Sequence, residues 1–88
     1  MADVNDILMC HERTHGAFTE QGAFAQRLKA KCRMAPNWGD MQDYQKEALE
    51  MVMHKVSRIL FGDPDEIDHW DDIAGYAKLV SKELELKI

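Results

Sequence analysis

Glu47 and Glu50 stand three residues apart and His54 follows Glu50 by four, a spacing that places all three along one side of a helix. Further on, Asp68, Asp72 and Tyr76 recur at every fourth residue, with His69 three before Asp72. If these two helix sides meet, their carboxylates converge and offer hard oxygen ligands, which suit Mg2+ or Mn2+ rather than zinc. Lys55 and Arg58 lie between the two sets and are the cations that would hold phosphate. In such a site Glu47, Glu50, Asp68 and Asp72 hold the metal, which neutralises phosphate charge and activates a water. His69 or Tyr76 then orients that water or a base. An ordinary structural explanation stands beside this one. Acidic residues in a first helical turn are stabilising, which accounts for Asp63, Asp65, Glu66 and Asp68 without any ligand. Glu47 and Glu50 also fit a solvated face, and Lys55, between Val52 and Ile59 at a core margin, fits a lysine whose stem lies along apolar surface.

A second pattern, His11-Glu12-Arg13-Thr14-His15, matches the HExxH arrangement of zinc hydrolases. A catalytic zinc needs a third protein ligand and a cleft, and Gly16 directly after the second histidine leaves no room for either on that helix. His11 is better read as a partly buried histidine on an apolar face, and His15 as part of a helix-ending turn. A structural zinc held by His11, His15 and Cys10 or Cys32 is the remaining metal reading.

These residues must be carried by helices. Val4, Ile7, Leu8 and His11 share one face of a first helix, with Asp3 as its cap and Gly16 as its stop. Phe24, Ala25, Leu28 and Cys32 share a face from about Thr19 to Arg33, with Thr19 as the cap. The segment from Ala35 to Gly39 breaks the pattern, because proline disfavours helix at and before its own position, and reads as a loop anchored by Trp38. A third helix is expected from Met41 to Phe61 with Asp40 as cap and a core face of Leu49, Val52, Met53, Val56 and Leu60. Gly62 is its stop. Asp63, Pro64, Asp65 and Glu66 supply the start of a fourth helix, beginning there or at Asp68. Its core face would be Trp70, Ile73, Ala74, Ala77, Val80 and Leu84, and so short a connection implies an antiparallel neighbour. No segment alternates with period two. The expected fold is all-α, a four-helix bundle-like domain spanning 1–88 with a C-terminal helical hairpin.

Composition bounds the function. Eighty-eight residues bury only about 60–65% of the surface exposed on unfolding, so the core is small and self-association would help it. Hydrophobic content of 45% with 31% charged residues suits a folded chain and is too apolar for disorder. A net charge of −5 argues against gripping nucleic-acid phosphates as the main task. The imbalance sits in the second half: residues 41–88 carry eleven acidic and six basic side chains, against five and five before. Two cysteines are too few for a disulfide framework, and nothing reads as a signal peptide or an apolar run of about 18 residues. The expected compartment is a reducing cytosol, with no membrane partner.

The run Ala48-Leu49-Glu50-Met51, Lys55, Arg58-Ile59-Leu60, Gly62-Asp63-Pro64 and the segment from Asp68 to Ala77, HWDDIAGYA after its first residue, preceded by Thr14-His15-Gly16 and Phe18, resembles an uncharacterised family of small bacteriophage and prophage proteins. More distantly, the arrangement is similar to the all-α MazG-like nucleoside triphosphate pyrophosphohydrolases. Those carry an ExxE pair on one helix and an ExxD pair on the next, which together hold Mg2+ on the substrate phosphates. Glu47 and Glu50 match the first pair. Asp72 matches the end of the second, but His69 stands at its Glu position, and pairing Asp68 with Asp71 also replaces Glu by Asp. The resemblance implies a nucleotide-binding, homo-oligomeric protein of the bacterial host cytoplasm, with cleavage between the α and β phosphates as its reaction. The rival expectation is a non-catalytic phage accessory protein whose acidic hairpin binds a host or viral protein. DNA binding through the basic Arg27 to Arg33 segment comes third.

Overall fold

The computed structural model describes residues 4–15 and 17–87, with the side chains of residues 10–15 outside that description. The chain forms α1 (Val4–His15), α2 (Phe18–Arg33), a single 3-10 turn (Trp38–Asp40), α3 (Asp43–Phe61) and α4 (Ile67–Glu85), with no strand among the described residues. The fold is all-α, as the 3.6-residue periodicity implies. No described helix is long and apolar enough to cross a membrane.

The helix ends show where local chemistry is decisive and where it is overridden. Gly62 caps α3, its N–H donating to the Arg58 carbonyl at 2.9 Å. The start of α3 differs from expectation. Asp40 belongs to the 3-10 turn, and Gln45 Oε1 instead accepts the backbone N–H of Gln42 at 2.9 Å, leaving Gln42 as the capping residue. Thr19 lies inside α2, one residue past its start, and Ala17 precedes the helix without a side-chain cap. Before α4, Asp63 Oδ1 accepts the N–H of Asp65 at 2.9 Å, so Asp63 organises a tight turn and Pro64 is not a first helical residue. The Trp70 indole N–H donates to the Pro64 carbonyl at 2.8 Å and ties this turn to α4.

Two helix pairs hold the chain together. Between α2 and α3, Ala25 and Met53 are buried and the Phe24 and Phe61 rings lie 5.3 Å apart at a tilt of 55°. Gln21 and Ser57 are buried in the same layer, where Gln21 Nε2 donates to Ser57 Oγ at 3.4 Å and Ser57 Oγ donates to the His54 carbonyl at 2.6 Å. Those two hydrogen bonds offset the cost of enclosing polar groups. Between α3 and α4, Lys55 reaches Asp72 and His69 is buried, while Lys87, two residues past the end of α4, places its Nζ 5.0 Å from the Tyr44 ring centre.

Most of the expected core face of α3 and α4 is not enclosed. Met53 is buried, yet Leu49 is 44% exposed, Leu60 60%, Trp70 54% and Leu84 45%. The reason is geometric. Periodicity assigns residues to a common face, and α2 covers only the Met53 and Ser57 side of α3. The molecule is elongated in consequence, with a radius of gyration of 15.4 Å against about 12 Å for a compact domain of this length.

Candidate functional site

Lys55 is a closely held charged group. Its side chain is only 12% exposed, and Nζ lies 2.8 Å from Asp72 Oδ2 across the α3–α4 contact. A half-buried ammonium needs a counter-charge nearby, because desolvation disfavours an isolated ion. Asp72 supplies it. The hydrogen bond from Lys55 is the main reason the Asp72 carboxyl is held below the usual carboxylate range; partial desolvation opposes it, and the charges of Lys55, His69 and Arg58 reinforce it.

Further cations converge on the same region. His54 is held below the ordinary imidazole range, first by burial and then by the positive charges of Arg58, Lys29 and Lys55. Lys29 comes from α2, the other cations from α3, and His69 and Asp72 from α4. The Nε of Arg58 is buried and has no hydrogen-bond partner among the described residues. Clustered cations attract anions, and here one carboxylate is already seated against its lysine.

The sequence-derived site residues are distributed unevenly around this cluster. Lys55 and Asp72 meet, and Arg58 and His69 act on the same carboxylate. Glu47 and Tyr76 line a groove of about 300 Å3 together with Tyr44 and Leu79. Tyr76 and Leu79 also border a second groove of about 340 Å3, which reaches Asp71, Asp72 and Gly75. Glu47, Tyr76 and Asp72 are therefore distributed along two adjoining grooves. Glu50 is drawn away, since it forms an ion pair with Arg33 of α2. Asp68 is exposed and lines neither groove. His69, expected in a polar strip, is 1% exposed.

Among the described residues no group of three or more His, Cys, Asp or Glu side chains is placed to hold a metal ion. The four carboxylates expected to share Mg2+ are divided: Glu50 goes to Arg33 and Asp72 to Lys55. The side chains of Cys10, His11, Glu12 and His15 lie outside the described residues, and so does the zinc reading built on them. Cys32 is a free, half-buried thiol.

Two residues of this region were not singled out in the sequence. Lys29 joins from α2, and no local spacing announces a contact across that distance. Tyr44 stands three before Glu47, so the same helical spacing that paired Glu47 with Glu50 places it beside Glu47. No family model, curated protein or solved structure matches the chain.

Proposed function

We propose that α3 and α4 form an antiparallel hairpin within a bundle-like domain, and that this hairpin binds the phosphate groups of a nucleotide. The observation that carries the reading is the half-buried Lys55 ammonium at 2.8 Å from Asp72, with Arg58 and His69 acting on the same carboxylate. Lys55 and Arg58 are the phosphate-holding groups, a role for which a point charge and a planar fork are both suited. The adjoining grooves, bordered by Tyr44, Tyr76 and Leu79, give a nucleoside aromatic and apolar surface to lie against.

In this reading the protein is of MazG-like type, from a bacteriophage or prophage, and works in the cytoplasm of the bacterial host. Hydrolysis of a nucleoside triphosphate is the further step, for which the sequence nominates His69 and Tyr76. Mg2+ would arrive on the phosphates and meet Glu47 and Asp72, and no step is assigned to it. Calorimetric titration with nucleoside triphosphates tests the reading. Binding that weakens in Lys55→Met and Arg58→Met supports it, and binding that neither substitution alters refutes it.

The second reading, an accessory protein that binds a host or viral protein, is favoured by α1. Val4, Ile7, Leu8 and Met9 are 55–69% exposed there, a dense apolar surface for one short helix.

A further inference from the structure

Asp71, Gly75, Leu79 and Glu83 recur at every fourth residue, so they form one line along α4. The line runs through both grooves. Asp71, Gly75 and Leu79 border one, while Leu79 and Glu83 border the other together with Tyr44 and Glu47 of α3, and Tyr76 borders both. No basic residue lines either groove, and Glu47, Asp71 and Glu83 form no ion pair among the described residues. Part of the acidic excess of residues 41–88 is thus gathered on one strip without a counter-charge.

The surface between these carboxylates suits hydrocarbon and ammonium in turn. Gly75 has open space where a Cβ would stand, which keeps the strip low between Asp71 and Leu79. Leu79 offers apolar surface, and the faces of tyrosine rings attract ammonium groups. One alkylammonium is already there: Lys87 holds its Nζ 5.0 Å from the centre of the Tyr44 ring. The Tyr44 hydroxyl is buried without a hydrogen-bond partner among the described residues, so the ring meets a ligand by its face. Asp71 and Glu83 are twelve residues apart, about 18 Å along the helix axis. A single metal ion does not reach both ends of such a strip, whereas an extended chain with an ammonium at each end does.

We propose that this strip binds a linear aliphatic polyamine. Its terminal ammonium groups lie on Asp71 at one end and on Glu83, Glu47 and the Tyr44 ring at the other, and its middle lies along Leu79 and the Tyr76 ring. The site goes beyond the nucleotide reading and does not rest on it, since carboxylates and rings hold the amine whereas Lys55 and Arg58 hold phosphate. Lys87 is then a tethered competitor for the Tyr44 ring.

Calorimetric titration of the full chain with spermine, without nucleotide and at constant ionic strength, tests this, with circular dichroism to confirm that each variant stays helical. Asp71, Glu83, Glu20, Glu85 and Lys87 are all exposed, so their substitution leaves the packing in place. The wild-type chain is expected to bind at submillimolar spermine, and the double variant Asp71→Asn with Glu83→Gln roughly five- to tenfold more weakly, because two partly solvated ion pairs are lost. Lys87→Met is expected to bind about two- to fivefold more tightly, the worth of the exposed cation–π contact it releases. Glu20→Gln with Glu85→Gln removes the same charge away from both grooves and is expected to bind as wild type does. No binding at millimolar spermine overturns the proposal. So does an equal loss in the two double variants, since the amine would then follow net charge and not this strip, and so does a Lys87→Met chain that binds no more tightly than wild type.

Discussion

Lys55 Nζ and Asp72 Oδ2 meet at 2.8 Å across the contact between α3 and α4, and the two ends of this ion pair are unequally solvated: the lysine side chain is 12% exposed and the aspartate 47%. The inequality decides which partner is harder to lose. Loss of the aspartate strands a charge in a half-dry place, whereas loss of the lysine returns its carboxylate to water.

Asp72→Asn is therefore expected to destabilise the fold more than Lys55→Met. The methionine keeps the apolar stem that lies along the helix contact, so its cost should stay within about 1 kcal/mol. Urea unfolding of the two single variants and the double variant checks this. Equal losses from both would show that the pair is an exposed contact with no buried partner.

Asp72 also occupies the cations that phosphate would need. Without Mg2+, Asp72→Asn is expected to bind inorganic phosphate or sulfate roughly three- to tenfold more tightly than wild type, because the substitution removes one like charge a few ångströms away in a partly solvated site. Competition titrations read this directly. A weaker affinity would mean that Asp72 serves the ligand and does not compete with it.

Stability should rise with pH through the histidine range. His54 is held below its ordinary value of 6.5, so between the two values the unfolded chain binds the extra proton and the folded chain does not. Folding free energy is then lost as pH falls from above 6.5 toward the lowered value. Asp72 adds the same sign in acid: its contribution is present above 3.8 and disappears as pH drops through its lowered value. Chemical denaturation between neutral and mildly acidic pH should show the slope, and His54→Gln should flatten the upper part of it.

Gly22 lies within α2, and open space surrounds the position a Cβ would take. Gly22→Ala is expected to stabilise the chain by about 0.5–1 kcal/mol, the cost of glycine's backbone freedom inside a helix. A lower melting temperature in this variant would place a neighbour against α2.

Much of the fold is legible in the residues themselves, because helix stops and turns are local. Gly62 ends α3 through its own N–H, and Asp63-Pro64 forms a turn through one side-chain oxygen. The cluster around Asp72 is legible in part, since a four-residue spacing puts side chains on one helix side. What covers a face is not local. Leu49 and Leu60 belong to an apolar stripe, yet they stay exposed because α2 packs on the Met53 side. Glu50 has the spacing of a ligand beside Glu47, but an arginine seventeen residues earlier takes it. His69 has a polar side chain in an acidic run, and burial against α3 removes it from the surface.

Thermal unfolding against a panel of nucleoside triphosphates, each with and without Mg2+, tests the phosphate-binding site most directly. A ligand at about 100 times its dissociation constant stabilises the folded chain by about 2.7 kcal/mol, which for a domain of this size raises Tm by more than roughly 10 °C. The expected result is a rise of that order with at least one nucleotide, lost in Lys55→Met. No shift with any nucleotide at millimolar concentration, with or without Mg2+, would contradict it.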